Sequence, residues 1–169
     1  MIRQPVSRRS FLLRASSAGL LMPAVAACAE DVSLAHEARE YDEAYNARDV
    51  EALLAFYTDD CVFRDIPTSI VTTGKQELGD FLRETFKAYP DCRNDTTSVY
   101  RAKGADFSEW VWSGTVLAEE RRGLEPTNRP YSIVGATLDL TRDGLIWRET
   151  DYYDLAGFYE QMGGGCTEP

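Results

Sequence analysis

The chain is short of histidine, of basic side chains and of closely spaced cysteines, and each shortage removes a class of function. It has one histidine, His36, in 169 residues. A single imidazole cannot build a His-rich metal centre, and it argues against a Ser-His-Asp triad. The four cysteines (Cys28, Cys61, Cys92, Cys166) stand at least 31 residues apart and form no CxxC pair. A zinc site is therefore unsupported, and no metal is expected. No phosphate-cradling glycine loop and no redox motif appears, so no cofactor is expected either. Basic residues number 18 against 28 acidic ones, for a net charge of -10. Four of the arginines (Arg3, Arg8, Arg9, Arg14) lie in the first 27 residues, which contain no acid, so the rest of the chain carries -14. A body that acidic repels nucleic acid and anionic membrane, because affinity for phosphate comes from lysine and arginine. What the chain does have is apolar mass. At 44% hydrophobic residues it can bury a core, and its length suits one domain, which usually runs to about 100–150 residues.

Residues 1–27 read as an address. A basic start leads into Ser7-Arg8-Arg9-Ser10-Phe11-Leu12-Leu13, and an apolar, small-residue stretch runs from Ala15 to Ala27. That stretch is too short to span a bilayer, which takes about 20 residues. The pattern resembles a twin-arginine signal, read by a translocase that exports folded proteins. Val25-Ala26-Ala27-Cys28 resembles a lipobox, which would put a lipid on Cys28, while Ala24-Val25-Ala26 also suits ordinary cleavage. On either alternative the domain lies outside the cytoplasm, periplasmic or secreted, and touches a membrane only through a lipid on Cys28. Disulfides are permitted there. Cys61 and Cys92 are open to pairing or to burial as free thiols, and Cys166 sits in a Gly-rich tail expected to be disordered.

The rest divides into helices first and strands later. Apolar or aromatic residues at Leu34, Ala38, Tyr41, Ala44 and Tyr45 fit one face of a helix ending near Asn46. Asp49 is placed to cap a short second helix. Cys61–Ile66 reads as a strand stopped by Pro67. A third helix is expected over 75–88, with Thr73 and Gln76 forming a capping box. Two strand pairs follow, 92–102 with 107–119 and 131–141 with 145–153. The second is joined by Arg142-Asp143-Gly144, a strong hairpin signal. Asp154 caps a short closing helix near 155–162. Such an order signals an α+β fold with an antiparallel sheet. About three helices over a curved sheet leave a cone with an open end.

Several of these segments resemble one family. Phe56-Tyr57-Thr58-Asp59-Asp60-Cys61-Val62-Phe63-Arg64-Asp65-Ile66-Pro67 is similar to the helix-to-strand signature of the nuclear transport factor two-like superfamily. Thr73-Gly74-Lys75-Gln76-Glu77-Leu78 is similar to the opening of its third helix. Gly144-Leu145-Ile146-Trp147-Arg148-Glu149 and the run from Asp154-Leu155 to Gln161-Met162-Gly163 resemble the ending of SnoaL-like polyketide cyclases. The resemblance spans residues 33–163 and implies the cone fold. It also implies a small-molecule ligand, and dimers covering the outer face of the sheet. It leaves function open, because the superfamily holds isomerases, cyclases, hydrolases, dehydratases and members with no known activity.

The resemblance and the residues together nominate a site. Asp65, at the end of its strand and the expected mouth of the cone, stands where steroid isomerases carry a proton-moving aspartate. Tyr41, 24 residues earlier, stands where they carry an oxyanion tyrosine. Their second oxyanion acid falls at or near Ala136, and Asp139 has the opposite strand parity, so the steroid isomerase reading loses support there. On the last strand Trp147, Glu149, Asp151 and Tyr153 share one face by alternation. Glu149 and Asp151 then lie roughly 6–7 Å apart, and buried together they resist joint ionisation. Trp110 and Trp112 could form a flat wall for a ring-shaped ligand, or simply core. The expected function is a cone that takes a small apolar or carbonyl-bearing molecule and performs cofactor-free isomerisation, cyclisation or dehydration. Asp151 or Asp65 would be the base, with Tyr41 and the other carboxylates as donors. The rival reading is a non-catalytic periplasmic binding or scaffold module.

Overall fold

The computed structural model describes residues 36–117 and 126–163. The expected export signal with Cys28, and the tail with Cys166, lie outside the described residues. The element order is α1 His36–Ala47, α2 Val50–Leu54, β1 Tyr57–Asp65, β2 Ile70–Thr73, α3 Gly74–Ala88, β3 Arg93–Ala102, β4 Ala105–Thr115, β5 Pro130–Arg142, β6 Leu145–Tyr153 and α4 Leu155–Gln161. The strands form one six-stranded sheet in the order β2-β1-β6-β5-β4-β3.

Local chemistry sets most of the boundaries. Helix α1 stops where Arg48 turns left-handed at φ 60. Asp49 then caps α2, its carboxylate accepting from the Ala52 N–H at 3.0 Å. The expected Thr73–Gln76 capping box does not form. Glu77 reaches back instead and accepts from the Thr73 N–H at 2.9 Å. It can do so because α3 begins one residue early, at Gly74, whose φ of 81 suits glycine. Asp143 and Gly144, at φ 54 and 81, supply the two left-handed residues of the β5–β6 hairpin turn. Asp154 caps α4 through the Gly157 N–H at 2.9 Å.

The sheet departs from the expected antiparallel pattern at one junction. Strands β1 and β6 run parallel, with Asp65 opposite Asp151 and Phe63 opposite Glu149. The strand β2, which turn-like Thr68-Ser69 conceals in the sequence, pairs antiparallel with β1 at the edge. Register shifts interrupt β1 after Tyr57, β3 at Thr97 and β6 at Trp147. Such irregularities bend strands and raise their twist, and the sheet curls around α1 and α3.

The far edge of the sheet is closed by side chains of α1. Asp42 accepts from Asn94 Nδ2 at 2.7 Å, from the Thr96 N–H at 2.7 Å and from Thr96 Oγ1 at 3.0 Å. Asn46 exchanges two bonds with the Asn94 backbone at 2.9 and 2.8 Å. These groups satisfy backbone that an edge strand otherwise leaves open. Cys61 and Cys92 are both buried free thiols. No described helix is long and apolar enough to cross a membrane.

One end of the curl is filled by rings. Trp112 and Tyr131 have centroids 4.5 Å apart, Tyr89 and Trp112 4.9 Å, and Tyr131 and Phe158 5.1 Å. The Tyr89–Trp112 and Tyr131–Phe158 pairs meet edge to face. Phe158 comes from α4, which is tied to β5 by Gln161 accepting from the Ser132 N–H at 2.8 Å. Because α1 is held to β3 chiefly by Asp42, Asp42→Ala should lower unfolding stability by about 2 kcal/mol in a urea titration. A loss below about 0.5 kcal/mol would show that the helix does not depend on that carboxylate.

Candidate active site

Inside the curl is a cavity of about 280 Å³. Its roof is α1 and α3, through Tyr41, Tyr45, Phe81 and Leu82, and its floor is the concave face of the sheet. Glu37, Arg101 and Gly144 are exposed lining residues and mark the mouth, while Trp112 and Ile133 lie at the ringed end.

Strand pairing arranges the floor in rows. Nearest the mouth, Asp106, Asp139, Glu149 and Phe63 stand opposite one another on β4, β5, β6 and β1. The next row is Ser108, Thr137, Asp151 and Asp65. Then come Trp110, Gly135 and Tyr153. Directly opposed residues have β-carbons roughly 4.5–5.5 Å apart. Among the described residues six acids, Glu37, Asp65, Asp106, Asp139, Glu149 and Asp151, therefore line one hollow with a single basic residue, Arg101. That guanidinium is engaged at the mouth, paired with Glu37 and 4.0 Å from Asp106.

Hydrogen bonds fix two chains. Trp110 Nε1 donates to Thr137 Oγ1 at 2.8 Å, and Thr137 donates to Asp151 Oδ1 at 2.5 Å. Tyr57 donates to Glu149 Oε2, and Tyr41 and Tyr57 share a bond of 3.0 Å between their hydroxyls. With the Tyr57 hydroxyl proton directed at Glu149, Tyr41 is the donor of that shared bond. Asp65 accepts at both oxygens, from Tyr153 Oη at 3.0 Å and from the Thr68 N–H at 3.1 Å. One oxygen of Asp139, Oδ1, is buried and accepts no hydrogen bond.

Burial dominates the electrostatics. It pushes Glu149 up to about 8, aided by the charge of Asp139 and opposed by the Tyr57 hydrogen bond. Burial, then Glu149, holds Asp151 well above the ordinary carboxylate range against the Thr137 bond. Burial, then Asp151 and Asp106, does the same to Asp139. Tyr41 and Tyr57 are raised by burial and by Glu149, so both stay phenols. Among the described residues no cluster of histidine, cysteine and acids has the geometry of a metal site.

All seven residues nominated within the domain line this cavity: Tyr41, Asp65, Trp110, Trp112, Glu149, Asp151 and Tyr153. Asp65 is not at the mouth. It is 8% exposed, one row deeper than Glu149, where it also borders a smaller recess of about 70 Å³ beside Phe81. Trp112 is both wall and core, since it also belongs to the ring cluster. Trp147 does not follow the alternation. The register shift leaves it unpaired, and Ile146 lines the cavity instead. Position 136 is opposed to Tyr152 and Glu109, away from the hollow, and Asp139 supplies the inward acid of β5. Tyr57 and Thr137 were not nominated. Alternation from Asp139 would have found Thr137, while Tyr57 lies beyond the break in β1 and gives no periodic signal.

The packing is close. A β-carbon on Gly135 would lie 2.1 Å from Trp110, so glycine is what lets the indole lie across β5 and reach Thr137. The pH dependence follows from Glu149. Its folded value of about 8 exceeds the unfolded 4.5, so the folded state holds a proton that unfolding releases between those limits. Stability must then fall as pH rises across that window, and Asp139 and Asp151 act in the same sense. The thermal midpoint should drop between pH 5 and 8, and Glu149→Gln should flatten the drop. A midpoint that rises over this range would contradict the assignment.

A family model for the SnoaL-like domain matches residues 38–149. No curated protein matches the chain. Among solved structures, a protein of Catenulispora acidiphila DSM 44928 with a ketosteroid isomerase-like fold, crystallised with trimethylamine, is 22% identical. It superposes with a TM-score of 0.67 over 76% of this chain and 93% of that one. IdmH of Streptomyces antibioticus, provisionally assigned as a polyketide cyclase, is 21% identical with a TM-score of 0.63 over 74% and 94%. AclR of Streptomyces galilaeus, provisionally assigned as a hydroxylase, is 17% identical with a TM-score of 0.65 over 78% and 85%. These likenesses establish the cone fold. Their differing assignments leave the chemistry to the side chains.

Proposed function

The chain belongs to the SnoaL-like domain family, and on that basis we propose that its cavity binds a small, largely apolar, carbonyl-bearing molecule and moves a proton within it without a cofactor. The observation that carries this reading is the enclosure of Asp65, Glu149 and Asp151 in one cavity with phenols hydrogen-bonded to the acids. Asp65, which accepts at both oxygens, is the base. It takes a proton from the carbon beside the carbonyl, and the electron pair moves to the carbonyl oxygen. Asp151, kept protonated by its surroundings, donates a hydrogen bond to that oxygen. Return of the proton from Asp65 to a different carbon gives an isomer. Attack of the enolate on a second carbonyl of the same molecule closes a ring and leaves an alkoxide, to which Asp65 returns the proton it took.

Tyr41 acts through its neighbours. When Glu149 is ionised, the hydroxyl protons of Tyr41 and Tyr57 point toward it. When Glu149 holds its proton, the direction reverses and Tyr41 donates into the cavity. A group pushed up to about 8 populates both states near neutrality.

The test is hydrogen–deuterium exchange of acetophenone and of cyclohex-3-enone in deuterated buffer, followed by nuclear magnetic resonance. Enolisation of the second ketone also produces its conjugated isomer. Wild-type protein should accelerate exchange, and Asp65→Asn should reduce the acceleration by at least about 100-fold. Asp151→Asn, which keeps a donor in place, should cost less. Binding of both ketones with no exchange above buffer would favour the non-catalytic binding module.

The address segment supports export through the twin-arginine translocase to the periplasm or beyond, with either cleavage after Ala26 or lipidation at Cys28. Val134 and Tyr152, 69% and 47% exposed on the convex face, support a homodimer through the sheet. Native mass spectrometry of protein from the periplasmic fraction reads both. The expected species is a dimer lacking residues 1–26 or carrying lipid on Cys28. A cytoplasmic monomer of full length would overturn both.

A further inference from the structure

The cavity gathers acids whose ionisation no neighbouring described side chain balances. Asp139 and Glu149 face each other across β5 and β6, and Asp151 follows on the same face of β6. Asp106 stands opposite Asp139 on β4, and Asp65 opposite Asp151 on β1. The polar groups bonded to these acids include the Tyr57 and Tyr153 phenols, the Thr137 hydroxyl and the Thr68 N–H, with Tyr41 bonded to Tyr57, and none of them carries positive charge. Among the described residues Arg101 is the single basic lining residue, and it is held at the mouth by Glu37 and Asp106. The buried Oδ1 of Asp139 accepts no bond at all.

Around these acids stand aromatic rings. Tyr41, Phe56, Tyr57, Phe63 and Trp110 line the same hollow. Ring faces are negative, and they attract a cation that has lost its water. Acids without a counter-ion and aromatic rings lining the same hollow are complementary to one kind of ligand. Resting on the reading of this cavity as the ligand site, we infer that its ligand carries a positively charged nitrogen, seated between Asp139 and Glu149 under the rings and one row short of Asp151. The nitrogen supplies the missing counter-charge. The carbonyl of the same molecule then reaches one row deeper, to Asp65 and Asp151.

The inference has a linkage consequence. A cation stabilises the ionised form of every acid it touches, so its arrival expels protons from acids that the empty cavity keeps neutral. Affinity for a permanent cation therefore rises with pH as Glu149 ionises, near 8.

The experiment compares three probes by calorimetry on the full chain: benzyltrimethylammonium, its uncharged carbon isostere neopentylbenzene, and acetophenone. The ammonium should bind at least about tenfold more tightly than the isostere. Titrations at pH 7 in two buffers of different ionisation enthalpy should show proton release on binding the ammonium and none on binding the isostere. Asp139→Asn and, separately, Glu149→Gln should each shrink the ammonium-to-isostere ratio several-fold. Having two variants keeps the test open if one fails to fold. Equal binding of the ammonium and the isostere, or binding of acetophenone alone, overturns the cation site and leaves the carbonyl reading standing. Failure of all three probes to bind overturns both.

Discussion

Three carboxyl groups face one another from neighbouring strands, drawn away from bulk solvent into one cavity. This desolvation is the constraint on which the rest of the site depends. Ionising Glu149, Asp139 and Asp151 together would set like charges roughly one strand spacing apart in a medium that screens poorly. The protein avoids that cost by keeping protons on them, and it steadies the arrangement with Tyr57 and Thr137 as hydrogen-bond partners. A proton kept for electrostatic reasons is also a proton available for transfer. The feature that weakens the fold as pH rises is therefore the feature that equips the cavity for acid/base work.

The hollow exists because the sheet cannot lie flat. The register shifts in β1, β3 and β6 curl it, and the parallel β1–β6 pairing brings Asp65 opposite Asp151. Gly135 leaves room for Trp110 to lie across β5 and hold Thr137. The ring cluster of Tyr89, Trp112, Tyr131 and Phe158 closes one end, so that the space is a pocket rather than a tunnel. Asp42 and Asn46 hold the roof helix to the last strand. Side-chain hydrogen bonds at the edge thus set how far the acids are shielded from water.

Much of this was legible in the chain. Periodicity found α1, α3 and both long hairpins, and the caps at Asp49 and Asp154 were readable because their chemistry is local. Alternation turned Glu149, Asp151 and Tyr153 to one face, and that face is the floor of the cavity. What escaped depended on irregular register. A bulge reverses parity from its position onward, so Trp147 could not be placed by counting. Tyr57 lies on the far side of an unpaired stretch of β1. Asp139 was weighed against position 136, which faces away from the hollow. Helix starts were misjudged by one residue at α3, and that was enough to give the cap to Glu77 instead of Gln76.

The cone fold is shared with proteins assigned to unlike reactions, so the arrangement of acids is what distinguishes this chain. The most direct measurement is infrared difference spectroscopy of the carboxyl carbonyl stretch at neutral pH, comparing wild type with Glu149→Gln. A band from a protonated carboxylic acid should be present in the wild type, lose intensity in the variant, and titrate away as pH passes about 8. A wild-type spectrum with only ionised carboxylates at neutral pH would mean that water or a counter-ion reaches these groups, and the proposed chemistry would have no acid to use.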